Sequence, residues 1–246
     1  MKVMDYLLRK IDKETLHMGL IDPDEQSAEE AGRLALALEE MGSDAVMVGG
    51  STGITQEKLD KTVKAMKNKI ESPVIHFPTE AGAISPHVDA IYFMSMLNSK
   101  DLNKVIGEQV LGAPYIKKTG IQPLPMGYVV VEPGMTVGEV GDADPIPRGE
   151  PRKAVNFGLA AQYLGMELFY LEAGSGAPEP VPTEMIELCK ENIDIPLIVG
   201  GGIREPEQAR ELTKAGADVI VTGTVLEEST DVKNKLEKMI SAIKQV

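Results

Sequence analysis

Three glycine clusters close three successive apolar runs late in the chain: Gly174-Ser175-Gly176, Gly200-Gly201-Gly202 and Gly223-Thr224. Glycine lets backbone N–H groups approach an anion with no Cβ in the way, so the pattern suits a phosphate cradle. Any single cluster reads equally well as a tight turn, but in succession they outline one site. Just before the first stands Tyr170-Leu171-Glu172-Ala173, where a period of two puts Tyr170 and Glu172 on the same side of a strand. A carboxylate beside a bound phosphate ester can accept a proton from a substrate hydroxyl. The competing reading is a buried carboxylate satisfied by backbone donors or an arginine. Earlier in the chain come Ile21-Asp22-Pro23-Asp24 and Gly49-Gly50-Ser51-Thr52. A strand-end carboxylate near a hydroxyl could hold Mg²⁺, which takes few protein oxygens, several waters and substrate phosphate. Asp22 could equally cap the turn before Pro23.

Other chemistries find little support. His17, His76 and His87 have no metal-ligand spacing and read as structural or surface residues. There is no G-x-S-x-G elbow, no Walker A loop and no Cys-His pairing, which disfavours a covalent nucleophile. The single cysteine, Cys189, falls in the apolar register of a helix and reads as a buried, inert thiol. The 25 Lys plus Arg stand against 38 Asp plus Glu, a net charge of −13 that argues against a nucleic-acid footprint. The charged N-terminal stretch lacks a cleavable apolar leader, and no apolar run is long enough to span a bilayer. The expectation is a cytoplasmic protein with no stable membrane insertion.

The elements that would position these residues follow from hydrophobic spacing. Segments 16–21, 44–48, 73–76, 89–93, 127–131, 167–171, 195–199 and 218–222 read as buried strands. Between them run helical faces such as Ala31, Leu34, Leu38, Met41, then Leu59, Val63, Met66, Ile70, and finally Val232, Leu236, Met239, Ile240, Ile243. Ser27 with Glu30 reads as a capping box opening the first of these, and Pro206 suits a first helical turn. Alternating strands and helices imply parallel pairing, and eight units in 246 residues fit a single-domain (β/α)₈ TIM barrel spanning 1–246. An open doubly wound sheet is the rival, but no G-x-G-x-x-G follows the first strand. The third unit is irregular, because residues 77–89 are too few and too rich in Pro and Gly for a packed crossover helix. The gap so left in the helical ring could open onto a groove, and the Met94, Ser95, Met96, Leu97 stretch is either plain core or a lining for a long apolar ligand. Residues 132–150 form a long loop with three Pro and four Gly, of the kind that often carries function.

Taken together, Ile21-Asp22-Pro23-Asp24, Gly49-Gly50-Ser51-Thr52, Met96-Leu97-Asn98-Ser99, Tyr170 through Gly176, Gly200-Gly201-Gly202-Ile203-Arg204 and Gly223-Thr224 resemble the archaeal geranylgeranylglyceryl phosphate synthases. The likeness covers nearly the whole chain. It implies a prenyltransferase that joins sn-glycerol 1-phosphate to geranylgeranyl diphosphate with Mg²⁺, releasing diphosphate and making the ether bond of archaeal phospholipids. It also implies roles. Asp22 and Ser51 would hold Mg²⁺, and Glu172 with Tyr170 would serve catalysis. Tyr170, Leu171, Glu172, Ala173, Gly174, Ser175, Gly176, Gly201, Gly202, Gly223 and Thr224 would hold glycerol phosphate. A homo-oligomer, dimer or hexamer, is implied as well. Where some bacterial relatives carry Lys-Leu-Asp this chain has Leu20-Ile21-Asp22, so the anion must rely on backbone amides, with Arg204 as a candidate helper. The D-D-x-x-D pair of helical prenyltransferases is absent, and Asp142 with Asp144 is no substitute. A sugar-phosphate isomerase or epimerase, with Asp22 as a second acid/base, and a noncatalytic phosphate-binding barrel are the alternatives.

Overall fold

Eight parallel strands close into a barrel in chain order, β1 pairing with both β2 and β8. The strands are β1 Leu16–Ile21, β2 Ala45–Gly49, β3 Val74–Phe77, β4 Ala90–Met96, β5 Gln122–Val130, β6 Leu168–Glu172, β7 Leu197–Gly200 and β8 Val219–Thr222. The helices are α1 Val3–Ile11, α2 Ala28–Glu40, α3 Gln56–Lys67, α4 Glu108–Thr119, α5 Met135–Val140, α6 Pro151–Tyr163, α7 Thr183–Asn192, α8 Pro206–Lys214 and α9 Val232–Lys244. This is a computed structural model, and it describes residues 1–49, 54–223 and 232–246.

The strands are short and almost wholly apolar because a parallel barrel strand is buried on both faces. Alternate residues divide between two layers. Met18, Met47, Ile75, Tyr92, Tyr128 and Tyr170 fill the barrel interior, while Ile21, Val48, Val74, Val129, Leu171 and Val199 face the helices. The helices answer with residues three and four apart: Ala31, Ala35 and Leu38 on α2, Leu59, Val63 and Met66 on α3, Leu236, Met239 and Ile243 on α9.

Several elements differ from the expectation. The charged N-terminal stretch folds as α1, whose Val3, Met4 and Leu7 join the interior cluster and close the barrel's lower end. The buried Asp44 carboxylate, ion-paired with Lys10 and with Lys244 at 2.7 Å, ties α1 and α9 to this end. Strand β5 begins five residues before the expected 127, through Pro123 and Pro125. Proline is tolerated there because β6 joins only from Met126 onward, so this stretch pairs on one side alone. Strand β4 likewise runs on to Met96. At α2, Ser27 accepts from the Glu30 N–H at 3.2 Å, but the Glu30 carboxylate pairs with Arg33, so only half of the expected capping box forms. A complete box instead opens α8, between Glu205 and Gln208, with Pro206 in the first turn as expected.

No helix lies between β3 and β4. The loop there leans on α4: the Ala81 N–H donates to the Glu108 carboxylate at 2.7 Å, while Gln56 of α3 bonds both the N–H and the carbonyl of Ile84 at 3.0 Å. A π-helical turn, Asn103–Gly107, leads into α4, and such turns are frequent at functional sites. The long loop 132–150 is partly ordered by α5 and by a parallel bridge from Val131 to Ile146.

Candidate active site

Strand β6 ends with Glu172 at the barrel mouth, in register with Gly200 of β7 and Val130 of β5. Its carboxylate accepts the Gly174 N–H at 2.7 Å and the hydroxyls of Tyr170 and Tyr128. Those rings lie 5.0 Å apart and, with Phe77 at 6.0 Å from Tyr170, form an aromatic floor. Burial pushes the Glu172 carboxyl up to about 7, against the pull of its three donors. Burial also drives both tyrosines well above their ordinary value, so they stay protonated and donate. Gly200 makes room for this group: a Cβ there would run into the Tyr170 hydroxyl and stand 3.0 Å from Glu172 Oε2. The result is a carboxylate balanced near neutral pH, which is what a general base requires.

Above Glu172 opens a cavity of about 520 Å³. One arm is polar and bordered by Ser175, Gly176, Gly201, Gly202, Arg204 and Gly223. The other is apolar and runs past Ile91 and Phe93 to Ile84, Gly112 and Ile116. Ile91, Ile84 and Ile116 belong to the layer outside the strands, so this arm leaves the barrel through the gap left where no helix follows β3. Met94 and Met96 line the passage. Leu171 and Ala173 point into the outer core, where they can contribute only backbone. The Gly174 N–H is committed to Glu172. Ser51 and Thr224 lie outside the described residues.

Gly202 lines the polar arm, and its lack of a side chain has a packing reason as well. At φ +71°, a Cβ would stand 2.5 Å from the Glu179 carbonyl oxygen and 2.9 Å from the Pro180 nitrogen. Glycine thus allows the loop after β7 to lie on the loop after β6. Gly202→Val is expected to cost stability, about 1–3 kcal/mol for the backbone strain alone, together with phosphate affinity. Thermal unfolding and calorimetry on one sample would check this; a fully stable variant with only affinity lost would mean that the Cβ faces the anion instead.

At the end of β1, Asp22 Oδ1 accepts the Asp24 N–H at 2.9 Å, the turn-capping geometry. Asp24 itself lines the cavity and pairs with Lys58. The carboxylates that line the cavity, Asp24, Glu80, Glu108 and Glu172, outnumber the cations, Lys104 and Arg204. Among the described residues no cluster of three or more His, Cys, Asp or Glu converges. Asp22 is not among the residues lining the cavity, whereas Asp24 is; a single hard carboxylate of this kind is chemically compatible with Mg²⁺, which keeps several waters and binds through substrate phosphate.

The histidines lie off the cavity, as expected. His17 is buried outside the strands, 2.7 Å from Ser43 Oγ and 2.9 Å from Thr222 Oγ1, and burial lowers it to about 4, so it is neutral. His76 is buried and likewise lowered to about 4, and His87 is exposed. Cys189 is buried with its thiol pushed up to about 12. Three residues of the site escaped sequence reasoning: Tyr128, Phe77 and Asp24. Tyr128 was findable, since it shares the inward register with Met126 and Val130. Phe77 gave no signal, because its place depends on the length of β3.

Comparison with known proteins agrees with this geometry. The PcrB family model matches residues 9–246. Geranylgeranylglyceryl phosphate synthase of Pyrococcus horikoshii is 55% identical over 99% of this chain and 95% of its own length. That of Thermococcus kodakarensis is 56% identical over 97% and 94%. A solved structure, (S)-3-O-geranylgeranylglyceryl phosphate synthase from Thermoplasma acidophilum in complex with sn-glycerol-1-phosphate, superposes with a TM-score of 0.97 at 46% identity, covering 100% of both chains. A family match over residues 9–246 and more than half identity over nearly the full chain place this protein in the PcrB family, among the geranylgeranylglyceryl phosphate synthases.

Proposed function

We propose that the protein joins sn-glycerol 1-phosphate to geranylgeranyl diphosphate. A hydroxyl oxygen of glycerol phosphate bonds to the first prenyl carbon, the bond from that carbon to the diphosphate oxygen breaks, and the hydroxyl proton passes to Glu172. The observation that carries this reading is the position of Glu172, buried where the polar part of the cavity meets the apolar part that leads out past β4.

Each part of the chain has a task in that reaction. The loops after β6 and β7, with Gly223 at the end of β8, would present backbone amides to the glycerol phosphate. The apolar arm takes the prenyl tail, and burying it excludes water that would otherwise intercept the allylic carbon. Tyr170 and Tyr128 hold the carboxylate against the reacting hydroxyl. Holding that hydroxyl in line is worth up to about 7–11 kcal/mol in ideal cases, so positioning outweighs the base itself. Asp22, with Ser51 and the neighbouring Asp24, would hold Mg²⁺. When bound, Mg²⁺ would neutralise charge gathering on the leaving diphosphate.

The same reading gives a homo-oligomer, dimer or hexamer, working in the cytoplasm. Leu102, Ile106, Val110, Leu111 and Tyr115 make an exposed apolar row on α4 and the turn before it. A second copy covering that row would give a self-complementary contact. No helix among the described residues is long and apolar enough to cross a membrane. Mass spectrometry of the lipid formed from sn-glycerol 1-phosphate with farnesyl, geranylgeranyl and heptaprenyl diphosphates tests the function. The geranylgeranyl ether should dominate, and turnover of a sugar phosphate with no ether formed would favour the isomerase.

A further inference from the structure

We infer that Arg204 is the side chain that reads the phosphate of the glycerol substrate, in place of the lysine that position 20 lacks. This rests on the proposed function for the identity of the substrate, though not for the anion itself. Leu20 lines the cavity and brings no charge from strand one, so any side-chain charge met by the phosphate comes from elsewhere on the wall. Among the described residues only Lys104 and Arg204 bring a cationic side chain to the cavity wall, and Arg204 is the one beside Gly176, Gly201 and Gly202.

The guanidinium is held but not neutralised. Its Nη2 donates to the Gly176 carbonyl at 3.0 Å, bridging the loops after β6 and β7. Its Nε is buried with no acceptor. A charged donor left unsatisfied is costly, and an arriving phosphate oxygen would remove that cost. The nearby carboxylates are otherwise engaged: Glu179 pairs with Arg148 at 3.1 Å, and Glu205 accepts in the α8 capping box and lies 3.9 Å from Lys235. The backbone is fixed as well, because Gln208 Oε1 accepts the N–H of Arg204 at 2.8 Å and of Glu205 at 3.0 Å. Arg204 therefore meets the ligand without first giving up a salt bridge or reordering its main chain. The planar fork can hold the Gly176 carbonyl and a phosphate oxygen at once, which a lysine ammonium on a flexible stem does less well.

The test is calorimetry and steady-state kinetics on the wild type, Arg204→Gln and Arg204→Lys, with sn-glycerol 1-phosphate and, separately, inorganic phosphate. Arg204→Gln should weaken both ligands about 10–100-fold, the usual scale for losing a hydrogen bond to a charged group. KM for glycerol phosphate should rise by the same factor with kcat within about twofold. Arg204→Lys should recover part of the affinity. Wild-type affinity in Arg204→Gln would overturn the inference. So would a fall in kcat and melting temperature together with unchanged affinity per folded molecule, the signature of a loop tie only. If the wild type binds inorganic phosphate but not sn-glycerol 1-phosphate, the substrate assignment fails while the phosphate comparison still decides the role of Arg204.

Discussion

Glu172→Gln is expected to lower kcat by about 10²–10⁴-fold, the usual cost of removing a general base, while both substrates still bind. Glutamine keeps the size and can still accept the Gly174 N–H, so the scaffold around it should persist. A purely structural carboxylate would behave differently, losing melting temperature and affinity together with turnover per folded molecule nearly intact. Single-turnover rates measured beside thermal unfolding separate the two. The pH dependence has a definite sign. The base must be ionised, and burial holds Glu172 at about 7, so single-turnover rates should rise as pH passes through about 7 and lose that step in the variant. Stability should move the other way. The folded protein keeps a proton that the unfolded chain releases near 4.5, so the contribution of Glu172 to stability falls as pH climbs from about 4.5 to about 7.

Asp22→Ala is expected to abolish most turnover and to leave glycerol phosphate affinity nearly unchanged, because Asp22 is proposed to act through Mg²⁺ on the diphosphate of the other substrate. Loss of a metal ion that supplies several kcal/mol of charge stabilisation would appear as a fall of about 10²-fold or more in kcat/KM for the prenyl diphosphate. Since Asp22 Oδ1 also accepts the Asp24 N–H, alanine would loosen the turn as well. Asp22→Asn keeps that acceptor and removes the charge, so it should share the catalytic loss without the loss of stability. Near wild-type activity of either variant at limiting Mg²⁺ would show that Asp22 only caps the turn.

The barrel was legible because its strands are buried on both faces and its helices on one, so apolar runs and three-to-four spacing both survive in the sequence. The gap after β3 was legible too, since Pro78, Gly82 and Pro86 leave no room for a helix. What failed were elements whose signal is tertiary. The N-terminal helix α1 shows only three buried residues in a charged stretch, and the first half of β5 hides behind prolines that one-sided pairing tolerates. At the site, Tyr170 and Glu172 could be paired by period two, but the meeting of Tyr128 and Phe77 with them depends on how three strands register. Gly202 carries a second reason for lacking a side chain that no sequence signal shows: the packing of the loop after β7 on the loop after β6.

The most direct test of the account is to follow the glycerol oxygen. With sn-glycerol 1-phosphate labelled by heavy oxygen in its reacting hydroxyl, and geranylgeranyl diphosphate as partner, mass spectrometry should find the label retained in the ether product. Diphosphate should be released mole for mole, with Glu172→Gln slowing both together. Diphosphate release accompanied by free prenyl alcohol and no labelled ether would contradict it.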